Sequence, residues 1–376
     1  MAPPSDNPDD ARWMRAALSL ARRGLGRVAP NPAVGCVLVR DGRVVGRGWT
    51  QPGGRPHAET EALARAGAAA RGATAYVTLE PCSHFGQTGP CADALIAAGI
   101  SRAVVAMPDP DSRVSGRGVD RMRAAGITVD TGLLEADAAR LNAGFLSHRL
   151  RGRPVVTLKL ATTLDGKIAT AAGESQWITG TEARADAHLL RMTHDAVLVG
   201  IGTALADNPA LTCRLPGAPG EGWRVVLDSM GRLPPDAALC DGTRPTLQLV
   251  ASDASEDAPG GVERIVVPRS SGGGLDPASC LTALADKGVT RLMVEGGGAV
   301  AASFLRDGLV DRIVWYRAPF ALGGDGRDGI APIGLVRLSD ARQFLSVASR
   351  ALGRDRVEVL ETGDYAAWRD WGPSAR

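Results

Sequence analysis

Pro56-His57-Ala58-Glu59, Leu79-Glu80-Pro81-Cys82-Ser83-His84 and Gly89-Pro90-Cys91 place one imidazole, two thiols and a carboxylate where they can act on one metal ion. A Zn²⁺ ion held by four protein ligands is closed, whereas one held by a His nitrogen and two thiolates keeps a fourth position for water. That water is the reagent of a hydrolysis, and a carboxylate outside the ligand set can take its proton. His57, Cys82 and Cys91 are therefore the candidate zinc ligands, and Glu59 is the candidate catalytic base. Inside a helix, positions i and i+2 point about 200° apart, so His57 and Glu59 share a site only at a helix's first turn. The run Thr60–Ala66 predicts a helix starting there.

His-x-Glu followed by Pro-Cys-x-x-Cys is the pattern of zinc-dependent base deaminases, in which the Glu is the general acid and base. Here eight residues rather than two separate Cys82 from Cys91, and the insert Ser83–Pro90 can loop out while both thiols face one metal. The competing reading is a closed zinc knuckle or a pair of plain buried thiols. A knuckle needs a fourth ligand, for which His84 is the candidate, and has no use for Glu59.

The elements that must hold these groups are legible in outline. At 376 residues and 44% apolar content the chain predicts two folded α/β domains. Net charge is only +2, which gives no strong field toward nucleic acid or an anionic membrane, and 4% aromatic content leaves little to stack bases on. Of the 43 basic residues only Lys159, Lys167 and Lys287 are lysine. No apolar run approaches a membrane span, and Met1–Asp10 has neither a basic start nor an apolar centre, so it reads as a frayed tail rather than a secretory signal. Cys36, Cys213, Cys240 and Cys280 are scattered as reduced thiols would be, which predicts a cytoplasmic protein.

A helix predicted from Pro8 to Gly24 leads into strands Ala33–Arg40 and Arg43–Trp49 around the turn Asp41-Gly42. Helices and strands then alternate, ending in a helix predicted over Glu135–Leu150. Arg151-Gly152-Arg153-Pro154 breaks the pattern, giving domains at 1–150 and 151–365 and a disordered tail at 366–376. The second half alternates again, from strand Val155–Ala161 to strand Arg312–Arg317, and repeats none of the His-x-Glu or Pro-Cys chemistry.

In that half Glu295-Gly296-Gly297-Gly298 lies between an apolar strand and a helix, where backbone N–H groups can meet phosphate. It is not the dinucleotide pattern G-x-G-x-x-G. Gly173–Gly180 and Gly200–Thr203, with Asp207-Asn208-Pro209 and Arg214, read as Gly-rich loops suited to a phosphorylated ligand or simply to solvent.

Taken together the chain resembles the bifunctional deaminase/reductase family of bacterial riboflavin biosynthesis. The matching runs are Pro30–Cys36, Pro56–Glu59, Thr78–His84, Gly116–Gly118, Leu164–Gly166, Gly173–Thr179, Asp207–Thr212 and Glu295–Gly297, in family order. The resemblance implies a cytidine-deaminase-like fold followed by a dihydrofolate-reductase-like fold. It implies a small-molecule substrate, a diaminopyrimidinone bearing a ribosylamino 5′-phosphate, with Zn²⁺ for its deamination and NADPH for reduction of its ribosyl group. Homo-oligomers are common in the family. By position, Asn31, Ser175, Arg191, Leu211, Arg214 and Glu295 would meet substrate, the two Arg on its phosphate. Ala161, Trp177, Thr203, Asp207, Ser229 and the run Gly297, Gly298, Ala299, Val300, Ala301, Ala302 and Ser303 would meet NADPH. Ser229 and Arg232 are candidates for its 2′-phosphate, and Asp207 for proton delivery. His148, His188 and His194 match no family site and read as surface or helix residues. The family's Asp-Pro-Asn-Pro stands here as Asp109-Pro110-Asp111-Ser112, so a substrate contact at Asp111 is a departure. A deaminase of another base, with a second domain that is inactive or only binds, is the alternative.

Overall fold

In the computed structural model, which describes residues 8–85, 89–110, 115–217, 222–255 and 257–365, the first half of the chain folds around a 5-stranded sheet. Its elements run α1 (Pro8–Ala21), β1 (Gly35–Arg40), β2 (Arg43–Trp49), α2 (Ala58–Ala66), β3 (Thr74–Val77), α3 (Cys91–Ala97), β4 (Arg102–Val105), α4 (Arg117–Ala124), β5 (Thr128–Thr131), α5 (Glu135–Leu141) and α6 (Ala143–Arg151). Strand order is β2-β1-β3-β4-β5, with β1 antiparallel to both neighbours and β3, β4 and β5 parallel.

Glycines set which helix covers which face. A Cβ on Gly48 would stand 2.1 Å from the Ala58 carbonyl oxygen, and one on Gly46 2.3 Å from that of Ala62, so β2 touches the backbone of α2. On the opposite face a Cβ on Gly35 would lie 1.9 Å from the Ala17 carbonyl oxygen of α1. The sheet is thus sandwiched between α1 and α2, and the start of α2 is pinned close to the sheet.

Asp10, expected in a frayed tail, is instead a fully buried residue of α1. Its carboxylate accepts from the Tyr76 hydroxyl at 2.6 Å and from both terminal nitrogens of Arg102 at 3.0 and 2.7 Å, while Arg102 also reaches Asp130. This network fastens α1 to β3, β4 and β5. Asp10→Asn keeps the shape but removes the charge that Arg102 is folded around, so stability should fall by about 2–4 kcal/mol. Thermal unfolding checks this: a melting temperature unchanged from wild type would contradict it.

The helix expected over Glu135–Leu150 is two helices, broken at Asn142. The reason is a clamp. The Asn142 side chain accepts from the Ala33 N–H at 2.9 Å and donates to the Ala33 carbonyl at 3.1 Å, fixing the segment that carries Asn31 and Pro32.

A second compact unit begins at Gly152, the first ending at Arg151. Its elements are β6 (Val155–Thr162), β7 (Lys167–Ala169), α7 (Thr181–Met192), β8 (Ala196–Gly200), α8 (Ile201–Asp207), β9 (Trp223–Leu227), β10 (Thr246–Val250), β11 (Val262–Val266), α9 (Pro277–Asp286), β12 (Arg291–Gly296), α10 (Gly298–Arg306), β13 (Arg312–Arg317), β14 (Arg327–Asp328), β15 (Leu345–Leu352) and β16 (Asp355–Glu361). Its 9-stranded sheet has the order β11-β10-β9-β8-β12-β6-β13-β16-β15, parallel up to β13 and antiparallel after it. The core is apolar and continuous, from Val156 and Leu158 to Phe304 and Val310.

One hairpin was not foreseen from the sequence, and two expectations are corrected. The hairpin β15–β16 carried no signal because β15 is exposed along nearly its whole length and so lacks a core-facing alternation. Gly200–Thr203 is not a loop but the start of α8. His194 is a buried core residue: its ring pairs with the Leu190 carbonyl at 2.7 Å and the Thr157 hydroxyl at 2.9 Å, and burial holds its pKa down to about 3. Asp111 and the tail from residue 366 lie outside the described residues. Among the described residues no helix is long and apolar enough to cross a membrane.

Candidate functional site

The first site forms at the carboxyl ends of the parallel strands β3 and β4, where open α/β sheets place ligands. His57 is the N-cap of α2, with extended φ −69° and ψ 159°, and Glu59 sits one step inside the helix. That change of backbone conformation between them lets residues two apart face the same space. Cys82 follows β3 and Cys91 opens α3. The His57 Nδ1 stands 3.3 Å from Cys91 Sγ and 3.8 Å from Cys82 Sγ, and the Cys91 N–H points at Cys82 Sγ at 3.3 Å.

His57, Cys82 and Cys91 have their ligand atoms within 4.8 Å of one another and form the only such group among the described residues. His84 does not join them; it lies on the exposed rim of the same pocket. Two soft thiolates and an imidazole suit zinc, and a set of three leaves one position open. The two thiols are unequal: hydrogen bonding to Cys91 brings the Cys82 pKa down to about 4, while Cys91 is pushed up by that same bond and by burial. Glu59 is 3% exposed and outside the ligand group. Burial, then the Cys82 thiolate, lifts its pKa to about 7, so it can both take and return a proton near neutrality.

Around this group runs a pocket lined by Asn31, Pro32, Arg55, Asp109, Phe145 and Arg149 among others. Asn31 needs glycine opposite it, because a Cβ on Gly54, whose φ is +84°, would fall 1.9 Å from the Asn31 side-chain nitrogen. Glu80, which the motif contains but gave no role, secures the pocket wall. Its Oε1 accepts from the N–H groups of Gly118 (2.9 Å) and Val119 (3.2 Å), and its Oε2 from those of Gly116 (3.0 Å) and Asp109 (3.3 Å). Glu80→Gln would turn an NH₂ group onto two of these donors, so we expect about 2–3 kcal/mol of lost stability with zinc content unchanged. Thermal unfolding and metal analysis check the pair of outcomes.

The second unit gathers a different cluster. Arg191 on α7 forms a bidentate ion pair with Glu295 on β12, Nη2 to Oε2 at 2.8 Å, and its Nη1 donates to the Thr212 carbonyl at 2.7 Å. Both were expected to face substrate, and the structure joins them to each other. Burial works to raise the Glu295 pKa, but Arg191, Lys159 and His188 together hold it below the ordinary value. Lys159, on β6, was missed by sequence reasoning; burial pulls its pKa down against the attraction of Glu295. Its signal was there: one of three lysines in an arginine-rich chain, interrupting an apolar strand. His188 is likewise depressed by burial and by Arg191 and Arg214. Glu295 is thus a carboxylate set among Arg191, Lys159 and His188.

Beside it the starts of α8 and α10 meet: Thr203 Oγ1 accepts the Gly297 N–H at 3.1 Å. Gly297 has φ +30° and a Cβ there would crowd Thr203, whereas a Cβ on Gly202 would meet nothing within 4 Å, so the backbone at the start of α8 is open to close approach. The run expected to meet NADPH is divided by its helix. Gly297, Gly298, Ala299 and Val300 form its start, where Gly298 packs against the Asp328 carbonyl, but Ala301 and Ala302 are buried in the core and the Ser303 hydroxyl bonds back to the Val300 carbonyl. Leu211 also departs from expectation: its side chain is 3% exposed within a core cluster, leaving only its backbone for substrate.

The remaining candidates are more open. Trp177 is 62% exposed with Arg184 stacked 4.5 Å from its ring centroid, Ser175 is half-buried, and Asp207 and Arg214 are exposed. Ala161 lies on β6 paired with Tyr316, and Ser229 follows β9 with its carbonyl 3.4 Å from Arg269 Nη2.

Residues 7–107 match the family model of the cytidine and deoxycytidylate deaminase zinc-binding region, and residues 154–355 match that of the RibD C-terminal domain. The riboflavin biosynthesis protein RibD of Escherichia coli (strain K12) is 43% identical over 358 residues, covering 92% of this chain and 97% of that one. RibD of Aquifex aeolicus (strain VF5) is 41% identical over 352 residues, covering 93% and 97%. Among solved structures, a diaminohydroxyphosphoribosylaminopyrimidine deaminase/5-amino-6-(5-phosphoribosylamino)uracil reductase from Thermotoga maritima superposes with a TM-score of 0.85 at 36% identity, covering 94% of this chain and 98% of that one. Acinetobacter baumannii RibD, form 1, gives 0.83 at 38% identity with the same coverage.

Proposed function

The chain belongs to the RibD family of riboflavin biosynthesis, and from that premise we infer how its residues divide two reactions. It is a bifunctional enzyme with a cytidine-deaminase-like unit followed by a dihydrofolate-reductase-like unit. The first deaminates 2,5-diamino-6-ribosylamino-4(3H)-pyrimidinone 5′-phosphate, and the second reduces the ribosyl group to ribityl. We place the first activity in residues 1–150 and the second in 151–365, in a cytoplasmic protein with no nucleic-acid partner that self-associates.

In the deaminase His57, Cys82 and Cys91 hold zinc, which when bound supplies a polarised water for hydrolysis. Glu59, buried beside the group and outside it, would accept a proton from the attacking water and return it to the departing amine. Asn31, fixed through Ala33 by the Asn142 clamp, orients the pyrimidine. In the reductase NADPH supplies the hydride. Gly297, Gly298, Ala299, Val300 and Thr203 would hold the cofactor at the two helix starts, and Ser229 would meet its 2′-phosphate. The exposed Trp177 offers a flat face for a ring, with Ala161 and Asp207 nearby in the family pattern. The Arg191–Glu295 pair and the backbone at Leu211 shape the substrate pocket, with Ser175 and Arg214 at its edge. Hydride transfer to C1 needs an accompanying proton, and Lys159, its proton held loosely by burial, is the group we assign to deliver it.

The observation that carries this reading is a three-ligand metal group with a buried carboxylate beside it that does not ligate. Zinc-loaded protein incubated with the diaminopyrimidine nucleotide tests it, products being followed by mass. Without NADPH the expected product is the deaminated ribosyl compound and ammonia, and with NADPH the ribityl compound. Absence of ammonia in both arms would overturn the reading.

A further inference from the structure

The substrate carries a phosphate dianion at the end opposite the amine that is lost, so the mouth of the deaminase pocket must meet negative charge. Three carboxylates line that pocket: Glu59 beside the metal group, Asp109, and Glu80, whose oxygens are engaged by four backbone N–H groups. Apart from histidines, the cations in the lining are Arg55 and Arg149. They come from separate elements. Arg55 is half-buried two residues before His57, and Arg149 is exposed near the end of α6. The Arg149 guanidinium stands 5.7 Å from the ring centroid of Phe145, which lines the same pocket one turn earlier.

Building on the deaminase reading above, we propose that Arg55 and Arg149 form the subsite that recognises the substrate's 5′-phosphate, making this deaminase selective for the nucleotide over its dephosphorylated riboside. Guanidinium groups suit the task because their planar forks meet phosphate oxygens two at a time and stay charged at every working pH. Their placement sorts the substrate's ends: cations at the rim draw in the phosphate, while the soft thiolates and Glu59 at the base receive the ring.

The test compares ammonia release from the 5′-phosphorylated substrate and from the same compound after phosphatase treatment. Wild type, Arg55→Ala, Arg55→Lys and Arg149→Ala are each assayed after zinc analysis. For Arg55→Ala we expect KM for the nucleotide to rise about tenfold or more, with kcat and the riboside's kinetics unchanged. Arg149→Ala, being more exposed, should raise it about threefold or more, and Arg55→Lys should recover part of the loss. Added salt should weaken the nucleotide and not the riboside in wild type. Equal effects on both substrates, or none on either, would overturn the proposal while leaving the deaminase assignment intact. No ammonia from either substrate with wild-type protein would overturn both.

Discussion

Glu59→Gln is expected to lower kcat for ammonia release by about 10²–10⁴-fold while leaving zinc bound and the reductase untouched. The substitution preserves shape, so it removes the proton acceptor and little else. Because Glu59 is outside the metal group, the ligands His57, Cys82 and Cys91 keep their places. Stability should move the other way. Burial raises the folded-state pKa of Glu59 from 4.5 to about 7, meaning that the metal-free fold binds this proton more tightly than the unfolded chain does. The cost of the ionised form therefore sets in as pH climbs from 4.5 through 7 and is complete above it. At pH 8 the metal-free variant should be as stable as wild type or more so, by up to about 3 kcal/mol. Loss of zinc from the variant, or retention of wild-type turnover, would contradict the assigned role.

The second large effect is expected at Lys159. Lys159→Met should reduce NADPH oxidation in the presence of the deaminated intermediate by about 10²-fold or more, with deamination unchanged. Methionine fills the strand position without a charge, and the Arg191–Glu295 pair survives because it is made without Lys159. Lys159→Arg is the informative companion: it keeps the positive charge but cannot release a proton, so it should fail as well. If Lys159→Arg were fully active, the residue would be serving as a charge rather than as an acid. A steeper pH dependence of the residual rate in Lys159→Met would mark a proton now drawn from solvent.

How much of this could be seen in the chain beforehand differs between the two sites. The metal group was legible because its residues sit in three short runs whose types have one common use, and the helix start at His57 followed from the two-residue spacing to Glu59. Glu80 was hidden in plain sight, since a carboxylate that binds only backbone N–H groups leaves no pattern of partner residues. In the second unit most elements up to β13 were readable, where apolar strands alternate with helices, but β7 and α8 were not, because both are short and lie among Gly-rich runs that read as loops. Beyond β13, β15 has no buried face and so no alternation to detect. Asp10 looked like tail because its partners Tyr76 and Arg102 are far along the chain. Charged clusters such as Lys159, Arg191 and Glu295 are assembled by the topology of parallel strands, and spacing along the sequence says nothing of their meeting.

Zinc-edge X-ray absorption on the zinc-loaded, substrate-free protein tests the central claim most directly. The account predicts a metal bound by two sulfurs and one imidazole nitrogen, with the fourth position held by solvent, and the same spectrum in Glu59→Gln. A fourth protein ligand, such as His84 or the Glu59 carboxylate, would contradict it, as would a spectrum lacking sulfur.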